Sequence, residues 1–278
     1  MSHRHRAARL WPHRTAVACL LTCAVVLLSQ PVRLSAADLA LKEPPTPVYN
    51  WSGCYGGANL GGGTSATNFG STVDPGTYLV APDPGSVGAD GSGSKNAIGV
   101  LGGGQLGCNW QTGTFVLGVE GDFDYFRSNP NINNNTAATG ISLANGSPIA
   151  ITQSLTTNFL ATVRPRVGIA ADRNFAYVTG GVAFTNVSYA ESYTDGNGAP
   201  GPGAGIATAS RSLFGWTAGA GWEYAFADRW SVKAEYLIAG FPTTNALGTI
   251  VAPGGTNTLH GSADLVVQLL RAGVNFKF

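Results

Sequence analysis

The sequence predicts an all-β protein, an eight-stranded antiparallel up-and-down transmembrane β-barrel. Four observations point there. Strand-like stretches alternate apolar and polar residues with a period of two. Charged residues are 11% of 278 and glycine numbers 39, whereas an ordinary soluble domain is roughly 25% charged. Past the first 30 residues no run approaches the ~20 apolar residues of a membrane helix. Finally, the connections alternate short and long, the habit of a barrel with tight turns at one end and loops at the other.

The N-terminus is a separate object. Basic "MSHRHRAARLWPHR" precedes apolar "TAVACLLTCAVVLLS", and "LSAAD" offers the small residues Ser35 and Ala37 of a cleavage site. Residues 1–37 therefore read as a secretory signal peptide, and the Pro-rich 38–50 as a periplasmic leader. Removing 1–37 takes away five arginines and no acid, which leaves 11 basic and 15 acidic residues, a net charge of about −4. No basic tract remains, so nucleic acid is not an expected partner.

The barrel is expected over 51–278, with strands at 52–62, 95–110, 114–127, 153–171, 175–190, 210–226, 230–240 and 264–278. "QTG" (111–113), "DRN" (172–174) and "ADR" (227–229) are the tight turns. Residues 63–94, 128–152, 191–209 and 241–263, rich in Gly, Asn, Ser, Thr and Pro, are the expected long loops. Within strands the two faces differ sharply. Phe115, Leu117, Val119, Phe123 and Tyr125 oppose Glu120, Asp122 and Asp124. Val163, Val167 and Ile169 oppose Arg164 and Arg166. Phe214, Trp216, Trp222 and Tyr224 oppose Gly215, Gly219, Gly221 and Glu223. Trp230, Val232 and Tyr236 oppose Lys233 and Glu235, and Val274, Phe276 and Phe278 oppose Arg271.

In a soluble barrel the apolar face turns inward. Here that face carries large rings near strand ends, Trp51, Trp110, Trp222, Trp230 and Phe278, and such rings favour the membrane–water interfaces. The opposite face mixes glycines with charges of both signs, which suits the narrow interior of eight strands. The aromatics are thus expected in lipid and the charges in the lumen. Buried charges must be paired, so the lumen set reads as a salt-bridge core or, alternatively, as the lining of a narrow channel. Closure of 264–278 on 52–62 would leave no unpaired edge in hydrocarbon.

Export also governs the cysteines. Cys54 and Cys108 remain after cleavage, near the start of the first strand and the end of the second, on the same side if their outward parity holds. A structural disulfide is expected; two separate thiols are the alternative. Two cysteines and His260 are too few for an expected metal site. "GGGQLG" (102–107) matches a dinucleotide fingerprint formally, but a strand end and a turn follow it where a helix is needed, so no cofactor is expected. His260, near Ser262 and Asp264, is the one histidine left for a catalytic or haem-binding reading.

The C-terminal strand, with Val274, Phe276 and Phe278 on one side, resembles the signal read by the outer-membrane barrel-assembly machinery. "VRLSAADLALKEPPTPVYNWSGCYGGANLGGG", "GVLGGGQLGCNWQ", "YVTGGVAF" and "RAGVNFKF" together resemble the small porin-family outer-membrane immunogenic proteins of alphaproteobacteria. That resemblance implies an OmpA-like, opacity-protein-like barrel in the outer membrane. The expected role is non-enzymatic: envelope integrity and surface-loop interactions, with lipid, lipopolysaccharide and the assembly machinery as partners and host surfaces or phage meeting the loops. A porin-like channel is the alternative, followed by a lipid-modifying enzyme or a haem-binding surface protein.

Overall fold

The computed structural model describes residues 49–196 and 201–278. The expected signal segment 1–37 and all but the last two residues of the leader lie outside the described residues. The strands are β1 (Gly53–Val73), β2 (Gly93–Thr112), β3 (Phe115–Ser128), β4 (Asn131–Asn135), β5 (Ile149–Ala171), β6 (Asn174–Asp195), β7 (Ala204–Ala225), β8 (Trp230–Ala252) and β9 (Gly255–Lys277), with two short helices, α1 (Asp83–Asp90) and α2 (Thr136–Thr139). All neighbours are antiparallel. β1 pairs with both β2 and β9, and β3 pairs with β5, so eight strands close into a ring. β4 resumes the line of β3 after Pro130 and also pairs with β5.

Alternation decides which face goes where. Phe115, Leu117, Phe123 and Tyr125 are exposed while Glu120, Asp122 and Asp124 are buried between them. The same division holds for Val163, Val167 and Ile169 against Arg164 and Arg166, and for Trp222 and Trp230 against Glu223 and Lys233. The glycines of the inner face make room: a Cβ at Gly103 would collide with Asp124, one at Gly61 with the Arg271 side chain, and one at Gly107 with the Tyr55 ring.

Three expectations about the loops are corrected, since of the expected loop 191–209 the stretches 191–195 and 204–209 belong to β6 and β7. Residues 63–73 continue β1, and 241–263 is no loop: β8 and β9 run on through it and meet in a turn at Pro253–Gly254. Most staves are 20–23 residues long, about twice the 9–11 that a tilted strand needs to cross a bilayer. The outer wall changes character along that length. Near the tight turns it is Leu60, Leu106, Trp110, Phe115, Trp222, Trp230 and Phe278. Farther out it becomes Thr64, Asn68 and Thr72 on β1, Ser188, Ser192 and Thr194 on β6, and Thr258, His260 and Ser262 on β9. Inside that outer half lie Phe69, Leu155, Tyr189, Tyr193, Leu259 and Leu265. The distal half thus leans toward the sense of a water-soluble barrel, with an apolar cluster and a few buried polar side chains within and a mainly polar wall that Ile206, Leu247 and Val251 interrupt, standing on a membrane barrel of the opposite sense.

Two irregularities reset the pattern. A shift between Thr157 and Leu160 on β5 and another between Phe241 and Thr244 on β8 move the inward residues from one parity to the other. Pro242 marks the second, where a ladder donor is lacking. The first long connection folds over the outer mouth: Leu79 and Val87 are buried, and Asn257 accepts from Leu79 N at 2.8 Å while its amide donates to the carbonyls of Asp74 and Leu79.

The two halves should respond differently to charge. Val163→Arg, near the middle of the apolar stretch of β5, is expected to cost about 2–4 kcal/mol in vesicles, and Ser188→Arg on the distal wall close to nothing. Reversible urea unfolding in lipid measures both.

Candidate functional site

The lumen holds the predicted polar constellation as a single ionic layer. Arg164 reaches Glu120 at 2.9 Å, Asp122 at 2.7 Å and Glu235 at 3.2 Å. Arg271 reaches Asp124 at 2.6 Å, Asp122 at 2.9 Å and Glu235 at 2.7 Å. Lys233 donates to Glu120 at 2.7 Å, and Arg166 lies 3.4 Å from Glu120 and 3.3 Å from Glu223. All nine side chains are buried.

Sequence reasoning missed the neutral members. Tyr55 of β1 donates to Glu120 at 2.6 Å and Tyr177 of β6 to Glu235 at 3.0 Å. Asn109 of β2 accepts from Arg166 Nε at 2.9 Å, and Ser231 donates to Glu223. Asn275 accepts from Gln105 at 2.6 Å and donates to Glu223 at 2.9 Å. With these residues, every stave of the ring sends a side chain into the layer. Their signal was parity alone, since Tyr55, Gln105 and Asn275 fall out of step with the outward apolar residues of their strands.

The charged set fills one level of the lumen, and apolar packing seals it on both sides. Above lie Leu101, Phe126, Leu160, Leu237, Val267 and Leu269. Below lie Tyr49, Trp51, Val116, Ala170, Phe175, Tyr177 and Ala225. Trp51, expected at the lipid interface, is 3% exposed inside the inner mouth. Its indole donates to Asp172 O at 3.1 Å, its backbone N–H to Gln111 Oε1 at 2.7 Å, and its ring lies 5.3 Å from Phe175. The physical reason is parity: Trp51 is in step with inward Tyr55, and an indole with two partners there loses nothing by leaving the interface. The Arg166 guanidinium joins plug and layer, lying 4.7 Å from the Tyr55 ring, 5.3 Å from Phe175 and 5.1 Å from Tyr177, a cation–π arrangement.

The other sequence-predicted residues sit on the wall. Cys54 and Cys108 are direct register partners on the outer side of β1 and β2 and form a disulfide. Val274 and Phe278 are exposed, and Phe276 packs on Trp230 at 5.0 Å between centroids. "GGGQLG" lies wholly within β2, with another strand after it. His260 Nε2 and Asp74 Oδ2 are 2.8 Å apart, Ser262 donates to Gly70 O at 3.3 Å, and Asp264 accepts from Asn68 N at 2.7 Å. These three residues cross-link β9 to β1 and its continuation on the outer wall, each with its own partner. At the mouth, burial and Asp195 push the Tyr78 hydroxyl up to about 12. A raised hydroxyl favours the protonated form, so this contact is whole below pH ~10 and is lost as pH rises through 12.

An apolar belt around a sealed, ion-paired lumen defines a small outer-membrane β-barrel. The chain belongs to the family described as outer membrane protein beta-barrel domain, whose match spans residues 27–278. It is similar to the 31 kDa outer-membrane immunogenic protein of Brucella melitensis biotype 1, 30% identical over 254 residues covering 87% of this chain and 92% of that one. It is also similar to the 25 kDa outer-membrane immunogenic protein of Brucella canis, 27% identical over 250 residues covering 87% and 90%. Among solved structures, the outer membrane protease OmpT from Escherichia coli aligns with 84% of this chain and 99% of that chain at 10% identity, with a TM-score of 0.40.

Removing one cation strands several carboxylates. Arg164→Ala is therefore expected to cost about 3–5 kcal/mol, while Arg173→Ala, whose partner Asp228 is exposed, changes stability by at most about 1 kcal/mol; denaturant titration distinguishes them. Thiol-specific alkylation of the protein unfolded without reductant is expected to leave Cys54 and Cys108 unmodified.

Proposed function

We propose that this protein is a non-enzymatic, non-conducting outer-membrane barrel that reinforces the envelope and offers a raised polar collar to the outside. The observation that carries the reading is the sealed interior, with an ionic layer closed between two apolar plugs. A conducting pore needs a continuous wet path and binding weak enough to let solutes leave. Here each charge lies against at least one of opposite sign, and the spaces above and below them are filled by Leu269, Leu237 and Phe126 on one side and Trp51 and Phe175 on the other. A hydrolase or acyltransferase needs a nucleophile beside its base, and Ser262 and His260 are each engaged with β1 or its continuation instead.

The partners follow from the wall. Its lower half suits acyl chains, and its distal half suits the sugar and phosphate region outside the bilayer or a host or phage surface. Val274, Phe276 and Phe278 are offered to the assembly machinery. Phe278 is 71% exposed and so contributes little burial to the finished barrel.

Refolded protein in planar bilayers is expected to give no resolved current steps; reproducible steps from the wild-type protein would overturn the reading. Deleting Phe278 should leave unfolding in lipid unchanged within about 0.5 kcal/mol while sharply reducing the amount assembled in cells, read as the folded, heat-modifiable band.

A further inference from the structure

The distal chamber contains polar atoms that the rest of the fold does not satisfy. Glu191 of β6 is 1% exposed, and its Oε2 accepts from Tyr189 Oη at 2.9 Å while its Oε1 has no partner. Gln153 of β5, its register partner, is fully buried, and both its Oε1 and its Nε2 are without partners. The Glu191 carboxylate spans the lumen, since a Cβ on Gly261 of β9 would lie 2.2 Å from its Oε2. Gly261 is the register partner of Ser71 on β1, whose buried Oγ is also unpartnered. Ser71 in turn packs against Gly91, and the preceding residue, Asp90, is fully buried with both carboxylate oxygens unpartnered.

Among the described residues, no ion pair joins Asp90 or Glu191 to a basic side chain; the buried cations are all spent on the ionic layer below. A desolvated carboxylate without a counter-charge is costly. We propose that the chamber is a binding site for a hard divalent cation, calcium or magnesium, with Glu191 as anchor and Gln153 and Ser71 as neutral oxygen ligands, and with Asp90 balancing the second charge. Oxygen donors of mixed charge are what such ions take. No three His, Cys, Asp or Glu side chains converge among the described residues, so amide and hydroxyl oxygens complete the set. Nitrogen and sulfur ligands are too few in the sequence for a metal site, and this oxygen set comes together only on closing the ring.

The test uses terbium, which replaces calcium and is sensitised by a nearby tyrosine such as Tyr189. Refolded full barrel in detergent should give saturable tyrosine-excited terbium emission that excess calcium displaces. Glu191→Gln and Gln153→Leu should each weaken terbium binding by at least about ten-fold, and Asp264→Asn on the outer wall should leave it unchanged. Calcium should raise the thermal midpoint of the wild type and of Asp264→Asn and leave that of Glu191→Gln unmoved. Emission that fails to saturate, or equal affinity in wild type and Glu191→Gln, would overturn the proposal and leave the chamber to water. Because Gln153→Leu preserves volume and removes no charge, its thermal midpoint without metal shows whether a lost signal reflects lost binding or lost folding.

Discussion

Two solvents meet the outer wall of this barrel, and everything inside is arranged around where they meet. In hydrocarbon every backbone N–H and C=O must find a partner within the protein, and the ring β1–β2–β3–β5–β6–β7–β8–β9 closes without an edge strand, its β7–β8 ladder being interrupted between Ala207 and Trp216. Within the bilayer no hydrophobic effect drives side chains inward, so the apolar residues face lipid and the inside is free to hold charge. Above the bilayer water restores that drive, and the same strands turn Phe69, Leu155 and Leu259 inward and Thr72, Ser188 and Thr258 outward. The bulge at Thr157–Leu160 and the one around Pro242 let β5 and β8 change phase between the two regimes.

The ionic layer sits in the lower regime, where the interior lacks a large apolar payload. Five carboxylates and four cations from β3, β5, β7, β8 and β9 interlock there, joined by tyrosines from β1 and β6 and amides from β2. Such a network does not gain much over well-packed apolar residues of equal size. Its physical consequence is specificity: each carboxylate fits one register of its neighbours, and slipping a strand by one residue would turn charges into lipid. Sealing by Trp51 and Phe175 below and by Leu237 and Leu269 above keeps the network dry and the lumen closed.

The lower half was legible in the sequence because its two faces contrast strongly, rings and aliphatics on one side, full charges and glycines on the other. Strands such as 114–127 and 230–240 announce themselves, and so does the closure signalled by Phe276 and Phe278. The upper half was not legible for an equally physical reason. Its outward residues are mainly Ser, Thr, Asn and Ala, with isolated apolar residues such as Ile206 and Leu247, so "TSATNFGSTV" on β1 reads as a connection although Phe69 and Val73 alternate within it. On β8 the phase reset at Pro242 breaks the pattern just where it would have continued. Trp51 was misplaced because aromatic identity was weighed above parity, and Tyr55, Asn109 and Tyr177 were passed over because neutral polar residues carry no obvious charge to pair.

The most direct measurement is spin-label accessibility along one strand. Single nitroxides placed at the outward positions of β9, from Phe276 to His260, in otherwise unaltered barrels reconstituted into vesicles, report oxygen against a water-soluble nickel relaxant. The account predicts lipid-like accessibility from Phe276 to about Leu270 and a change to water-like accessibility near Gln268 that persists to His260. Lipid-like accessibility continuing to Ser262 and His260, or water-like accessibility already at Leu270 and Val274, would contradict it.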